Sequence, residues 1–348
     1  MRVLVISGYP AWEKVSKGLM PAHHLFGINE LIDHYEQKDG RCQGILKNDV
    51  TNGGYVDFYQ WKSGKANIIK QIIYIIKISH NYDLIYDQLN RCSIYLGFLK
   101  KLKMLNIKLI TILHHPPYDI QLKVSDSDAY IFFNNDYLAL AKKANPEKKE
   151  RYFVNEWTPD IDWYKKVEKS YTNKPTSNKV RFIDTGKSRR DRKMLMEVAE
   201  ENKIRIDYAG DETQMEGFAR SYCVDLKDDI GMAHRIMDYD VVLIPVQENK
   251  KNKIGPLGIT SFLDCIALKK PVIASDNVCF AQEIDKKRIG IIYNAGDKES
   301  FANALKRISE NDCLYSELLN NIRIYKYKSM SDYSKNLLKI VQLVLNEK

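Results

Sequence analysis

Short apolar runs alternate with longer amphipathic stretches from the first residues onward. Arg2 to Gly8 reads as a β-strand. Pro21 to Tyr35 carries Leu25, Ile28, Leu31 and Ile32 at helical spacing. Gly54 to Trp61 predicts a second strand. Lys65 to His80 predicts a helix, with Ile68, Ile69, Ile72, Ile73, Ile75 and Ile76 on one broad face and lysines opposite. Asp83 to Gln88 follows as a strand, Cys92 to Leu105 as a helix, and Lys108 to Leu113 and Asp128 to Phe133 as two further strands. Strand and helix in turn imply a parallel sheet covered on both faces.

The pattern breaks in the middle. Lys142 to Lys149 is charged and contains Pro146, and Trp157 to Lys179 contains Pro159, Pro175 and several Asn, Thr and Ser, which is linker chemistry. It then restarts, with strands at Val180 to Thr185, Ile204 to Ala209, Val241 to Pro245, Pro271 to Ser275 and Gly290 to Tyr293. Helices are predicted at Arg190 to Asn202, Thr260 to Leu268, Lys298 to Ser309 and from Cys313 onward, ending with Tyr333 to Leu345. The fold class is therefore α/β, with two doubly wound, Rossmann-like parallel-sheet domains.

Composition narrows the class without choosing a chemistry. With 44% hydrophobic and 28% charged residues, the chain is neither collagen-like, low-complexity nor wholly disordered. No apolar run approaches the ~18 residues of a membrane span, and the start is too short in apolar residues for a signal peptide, so a cytoplasmic location is expected. Six cysteines are scattered without a C-x-x-C, which points to reduced thiols and offers no zinc site. The net charge of +9 is uneven. Between Phe58 and Tyr118, Lys62, Lys65, Lys70, Lys77, Arg91, Lys100, Lys101, Lys103 and Lys108 face only Asp83 and Asp87. Such a patch suits nucleic acid, anionic lipid or a phosphorylated substrate, or is simply a solvated helix face. No nucleic-acid-binding module is recognisable, so nucleic acid is not an expected partner.

Ligands of doubly wound sheets bind at the carboxyl ends of strands, near helix N-termini. Neither G-x-G-x-x-G nor G-x-x-x-x-G-K-[ST] occurs there, which removes the motif-bearing NAD enzymes and the P-loop NTPases. His114-His115-Pro116-Pro117 leaves a strand where imidazoles could serve catalysis or substrate hydroxyls, a structural histidine in a tight turn being the alternative. Gly186-Lys187-Ser188-Arg189-Arg190-Asp191 puts a glycine and several cations before a helix, a setting for phosphate oxygens, with Lys187 and Arg190 best placed. Tyr208-Ala209-Gly210 ends another strand. The longest feature runs from Gly255 to Asp276: Gly258, Ile259 and Thr260 open a helix with free N–H groups and a hydroxyl, and Asp264 lies one turn in, on the side of Thr260.

At these residues the chain resembles the nucleotide-sugar glycosyltransferases of the two-domain GT-B fold, most closely the family 4 type. The likeness spans nearly the whole chain and includes His114, the stretch from Tyr152-Phe153-Val154-Asn155 to Asp160-Ile161-Asp162, and the Gly186 turn. The resemblance implies that Gly258, Ile259, Thr260 and Asp264 hold the donor's diphosphate and ribose, with the carboxylate on the ribose. It implies that Lys187 with Arg190 or Lys193 neutralises the diphosphate, that His114 faces the sugar, and that Gly18 lets the first loop approach the phosphates. It also implies domains of 1–160 and 161–328, with a final helix, 329–348, crossing back to the first. One departure stands out. Family members usually carry two glutamates eight residues apart; the second position holds Asp264, but the first holds Pro256, so the acid near the sugar is missing or is supplied by Glu248.

Two D-x-D pairs, Asp126-Ser127-Asp128 and Asp160-Ile161-Asp162, read as turn and capping residues rather than metal ligands. The sequence-level expectation is thus a hexosyl-type glycosyltransferase, retaining by the resemblance and needing neither metal nor cofactor. A nucleotide-sugar donor, UDP favoured over GDP, would give its sugar to a hydroxyl of a glycan or a polyprenyl-phosphate-linked saccharide in surface polysaccharide synthesis. Phe98 to Leu105 mixes lysines with apolar residues at helical spacing, which suggests docking on an anionic inner-membrane surface. A nucleotide-sugar epimerase of the same fold and a non-catalytic, basic nucleic-acid binder are the alternatives.

Overall fold

The computed structural model describes residues 2–8, 10–29, 31, 56–62, 67–89, 92–117, 119–172, 179–223, 228–248 and 257–346; the predicted element ends at 32–35, 54–55 and 65–66, and Gly255 and Pro256, lie outside them. The chain divides into two compact units: Met1–Gly18, Ala22–Thr158 and Lys328–Lys348 form the first, and Leu19–Pro21 with Pro159–Tyr327 form the second.

In the first unit, β1 (Val3–Ser7), β2 (Val56–Gln60), β3 (Leu84–Asp87), β4 (Lys108–Leu113), β5 (Ala129–Phe132) and β6 (Tyr152–Val154) form one parallel sheet in the order β2-β1-β3-β4-β5-β6. Their apolar runs are continuous rather than alternating because helices cover both faces; Val3, Leu4, Val5 and Ile6 are all fully buried. The helices are α1 (Ala11–Ser16), α2 (Ile68–Ser79), α3 (Ser93–Lys101), α4 (Asp119–Val124), α5 (Asn135–Ala144) and the late helix Met330–Leu345. Ser329 caps that last helix in a reciprocal capping box with Asp332, and Asn155 Nδ2 donates to the Tyr333 carbonyl at 3.0 Å.

In the second unit, β7 (Phe182–Asp184), β8 (Ile206–Gly210), β9 (Ala219–Cys223), β10 (Val241–Ile244), β11 (Val272–Ser275) and β12 (Gly290–Tyr293) are again all parallel, in the order β12-β11-β10-β7-β8-β9. The chain winds outward from β7 in one direction through β8 and β9, then in the other through β10, β11 and β12. The switch point, where a crevice opens, lies between β7 and β10. Around it stand α6 (Ile161–Ser170), α7 (Arg192–Asn202), α8 (Asp229–Met237), α9 (Ile259–Leu268), α10 (Ala281–Lys287), α11 (Lys298–Ser309) and α12 (Asp312–Ile324).

Four local expectations change. The supposed linker at Trp157 to Lys179 contains α6: Asp160 accepts the Trp163 N–H at 3.1 Å as its N-cap, and Trp163, Tyr164 and Val167 bury against Ala233 and Met237. The charged stretch Lys142 to Lys149 is the end of α5 and a 3-10 turn, Pro146–Arg151, that feeds β6. The loop after β1 holds α1, and a 3-10 turn, Ala22–Leu25, opens the stretch predicted as a helix from Pro21. On α2 the isoleucine face is too wide for one interface. Ile75 is buried, but Ile69 and Ile73 are 70% and 60% exposed beside Lys70 and Lys77.

Candidate functional site

The crevice at the carboxyl edge of β7 and β10 is built by two segments that pair with each other. The Asp191 N–H donates to the Pro245 carbonyl at 2.7 Å, and the Gln247 N–H donates to the Arg189 carbonyl at 3.0 Å, with Arg189 in left-handed backbone at φ 49°. This fixes the turn Gly186 to Asp191 against the segment leading to Glu248, which is exposed and lies beside Gly296. Gly186 is required by packing. A Cβ there would lie 2.1 Å from the Arg190 guanidinium. Its N–H donates to Asp184 Oδ1 at 2.9 Å.

Arg190 is not a free cation. It is 6% exposed, its Nε donates to Asp184 Oδ1 at 3.0 Å, and its Nη2 donates to Ser261 Oγ at 3.2 Å. Burial pushes the Asp184 carboxyl up from its ordinary pKa, against the opposing pull of Arg190 and the Gly186 N–H. The pair therefore ties β7 to the first turn of α9 and presents little net charge to the crevice. The third guanidinium nitrogen, Nη1, lies 3.5 Å from where a Cβ would stand on Gly258, at the start of α9. Lys187 remains on the rim, its Nζ 3.5 Å from the exposed Asp211 carboxylate. Lys193, in the first turn of α7, is exposed. Arg192 reaches back, donating to the Gly186 carbonyl at 3.4 Å and lying 5.7 Å over the Tyr208 ring.

Helix α9 begins at the crevice. Gly258 has φ 85°, and a Cβ there would sit 2.4 Å from Ile244 Cγ2, so only glycine brings the chain this close to β10. The first intrahelical bond is from Phe262 N–H to the Gly258 carbonyl, which leaves the N–H groups of Ile259, Thr260 and Ser261 without helical acceptors. The Thr260 side chain is exposed; Ser261 turns inward to Thr185 and Arg190.

Asp264 stands one turn into α9. Its Oδ1 accepts a short hydrogen bond from the Tyr164 hydroxyl of α6. Part of its surface is accessible, yet protein surrounds it. Burial pushes its pKa up to about 7, the Tyr164 bond opposing and the Asp229 charge adding to the rise. Gly210 ends β8, where a Cβ would meet Ser221 Cβ of β9 at 2.8 Å.

In the first unit, His114 follows β4 and is packed edge-on to Phe26 and Phe133, ring centroids 5.2 and 5.1 Å away. Its Nε2 makes a short hydrogen bond with the Gln88 carbonyl. A carbonyl only accepts, so Nε2 carries the proton, and burial, which lowers the pKa, keeps the ring neutral with Nδ1 as its lone-pair nitrogen. His115 is exposed. Gly18 is exposed after α1, at φ 69° with open space where a Cβ would stand.

No protein-family model and no curated protein matches the sequence. Solved structures do. The chain is similar over 100% of both lengths to sucrose-phosphate synthase from Thermosynechococcus elongatus (TM-score 0.68, 11% identity). It is similar to HepE of Anabaena in complex with UDP and glucose over 98% of this chain and 99% of that one (TM-score 0.67, 13% identity). A glycosyltransferase from Rickettsia africae matches over 100% and 99% (TM-score 0.62, 15% identity). The fold is GT-B. In this GT-B chain, Gly186, Lys187, Glu248, Gly258, Ile259 and Thr260 share the crevice of the second unit. Gly210 ends the strand beside it, Lys193 lies along α7, and Asp264 lies one turn deeper. His114, His115 and Gly18 belong to the first unit.

Sequence reasoning missed Asp184, Ser261 and Tyr164, the partners that hold Arg190 and Asp264. Only Asp184 left a signal, as the single charge inside the apolar run Phe182-Ile183-Asp184. Both acidic D-x-D pairs have structural partners: Asp126 with Arg151, Asp128 with Lys100 and Lys108, Asp160 as the α6 cap and Asp162 with Lys165.

Proposed function

We propose that this chain is a glycosyltransferase that moves a hexosyl group from a UDP-sugar to a hydroxyl of a glycan or lipid-linked saccharide, in the assembly of a surface polysaccharide. The observation that carries the reading is the β7–β10 crevice, where the α9 N–H groups that have no acceptor among the described residues, the close backbone of Gly258 and the Lys187 ammonium share one edge. A diphosphate suits that edge. HepE, of the same fold, is seen with UDP and with UDP-glucose.

Breaking the bond between the anomeric carbon and phosphate develops negative charge on the leaving diphosphate and positive charge on the sugar. Fixed N–H dipoles and Lys187 would stabilise the first, in place of a metal or other cofactor. Glu248, on the loop after β10, would supply the acid near the second. In a retaining reaction the leaving phosphate takes the acceptor's proton and His114 orients the sugar through Nδ1. In an inverting one, His114 Nδ1 or His115 would be the base.

The acceptor reading draws on the outer face of α2 and α3. Ile69, Ile73, Tyr95, Phe98, Leu102 and Met104 are exposed among Lys70, Lys77, Lys101 and Lys103, an arrangement suited to the anionic inner face of a membrane bearing polyprenyl-phosphate-linked acceptors. A thermal-shift panel of nucleotide sugars tests the reading. UDP-sugars at a hundredfold excess over Kd should add about 2.7 kcal/mol of stability. Absence of any shift with UDP-sugars would reject it, and turnover of a sugar nucleotide without acceptor would replace it with an epimerase.

A further inference from the structure

The amino edge of the second sheet, opposite the crevice, holds a cavity of about 720 Å³. Its walls come from the residues that lead into β7, β8, β9 and β10, so it lies a full strand length, roughly 10–17 Å, from the carboxyl edge. Its apolar lining is Val180, Phe182, Ile204 and Tyr239 with the exposed Phe218. The rim is basic: Lys179, Arg181, Lys203 and Arg205, against Asp238. The acids nearby are already engaged. Asp240 holds Arg181 through Nε at 3.0 Å and Nη2 at 3.3 Å, Asp207 holds Arg220 through two contacts of 2.8 Å, and Asp238 accepts the Tyr171 hydroxyl at 2.5 Å. Lys203 and Arg205 are exposed at the mouth, Arg205 with its Nε and Nη2 each 3.5 Å from the Asp207 carboxylate, and Lys203 takes a left-handed conformation, φ 54°, where a helix C-terminus ordinarily has glycine.

A cavity within the usual range for small ligands, apolar below and cationic above, selects a ligand by two features at once. We propose that this cavity is a second binding site, distinct from the crevice, for a small organic anion with an aromatic or aliphatic body. The body would fill the floor between Phe182, Ile204 and Phe218, and the acidic group would meet Lys203 and Arg205 at the rim. Neither a bare phosphate nor a neutral hydrocarbon satisfies both.

Titration of the intact chain with anilinonaphthalene sulfonate, an aromatic anion that brightens in apolar surroundings, tests this. The expected result is one site per chain, unchanged by saturating UDP, with the neutral phenylnaphthylamine bound about tenfold or more weakly. Lys203→Glu with Arg205→Glu should weaken the anion at least about tenfold, and Phe218→Asp should do the same from the floor. Lys203→Gly is the companion variant that protects the result from misfolding: it removes the cation while relieving the left-handed backbone, so Tm should hold or rise as affinity falls. Displacement by UDP, equal binding of the neutral analogue, or unchanged affinity in folded variants would overturn the proposal.

Discussion

Asp264 shows how much a single carboxylate depends on its neighbours. Its pKa of about 7 lies above the ordinary carboxylate range, because burial and the Asp229 charge outweigh the Tyr164 bond. The folded state therefore binds the proton more tightly than the unfolded one. This group's contribution to stability is complete below about pH 4 and is lost as pH rises to about 7. On the expectation that Asp264 accepts from the donor's ribose, the ligand sees the reverse: the ionised carboxylate is the better acceptor, so UDP affinity should rise between pH 6 and 8. Calorimetry across that range should show the rise in the native chain, a higher midpoint in Tyr164→Phe, and a flat, weak profile in Asp264→Asn. Arg190 and Lys187 should separate by a different readout. Arg190→Met strands Asp184 and should cost about 3–5 kcal/mol in denaturant unfolding. Lys187→Met should change stability by less than about 0.5 kcal/mol and still weaken UDP. The sequence pointed to both lysine and arginine because each follows a strand at the ligand-bearing edge. It could not distinguish them, since Asp184 becomes a partner only when β7 brings it under the turn.

Elements were legible where their pattern was strong. Lys108 to Leu113, Gly290 to Tyr293 and Lys298 to Ser309 are as predicted to the residue, each an apolar run or a clean helical period bounded by polar positions. Helix α6 was hidden because its buried face is Trp163, Tyr164 and Val167 set among lysines, between Pro159 and a polar stretch. Strand β9 was hidden because Ala219-Arg220-Ser221-Tyr222-Cys223, at the sheet edge, carries no apolar run. Helix α9 was visible, but the reason for its opening glycine was not. Gly258→Ala must accept left-handed backbone and a Cβ driven into Ile244. A loss of about 2–5 kcal/mol is expected from the two effects together, read as a lower Tm with helix content otherwise retained.

At the scale of the whole molecule, the basic character resolves into specific positions. Lys100 is spent internally, on the Ile107 carbonyl at 2.8 Å and on Asp128, so it drops out of the predicted membrane-facing set. Lys101 also donates, to the Lys123 carbonyl at 2.8 Å, which leaves Lys70, Lys77 and Lys103, each worth about 1 kcal/mol near a charged bilayer. Sedimentation with anionic vesicles should capture the native chain at moderate salt and lose it in Lys77→Glu with Lys103→Glu. Equal capture by neutral vesicles would leave the face to another role. Transfer activity should persist in chelator if, as proposed, Lys187 and backbone N–H groups meet the diphosphate charge; rescue of a lost activity by Mn²⁺ would return the D-x-D pairs to consideration.

The first unit is discontinuous, and its late helix has a consequence for synthesis. Leu337, Ile340, Val341 and Val344 are buried, and Gly27 approaches so closely that a Cβ there would lie 3.0 Å from the Tyr333 ring. A ribosome finishes all six strands of the first sheet long before it makes this cover. The second unit, Pro159–Tyr327 with a short piece at Leu19–Pro21, emerges in the interval and has its complete core available while the earlier sheet still waits. The half made first is thus completed last. Its uncovered apolar surface is what a chaperone would meet on the nascent chain. A chain stopped after Tyr327 should yield a protease-resistant second unit attached to an aggregating first one, and supplying residues 328–348 as a separate peptide during refolding should restore solubility.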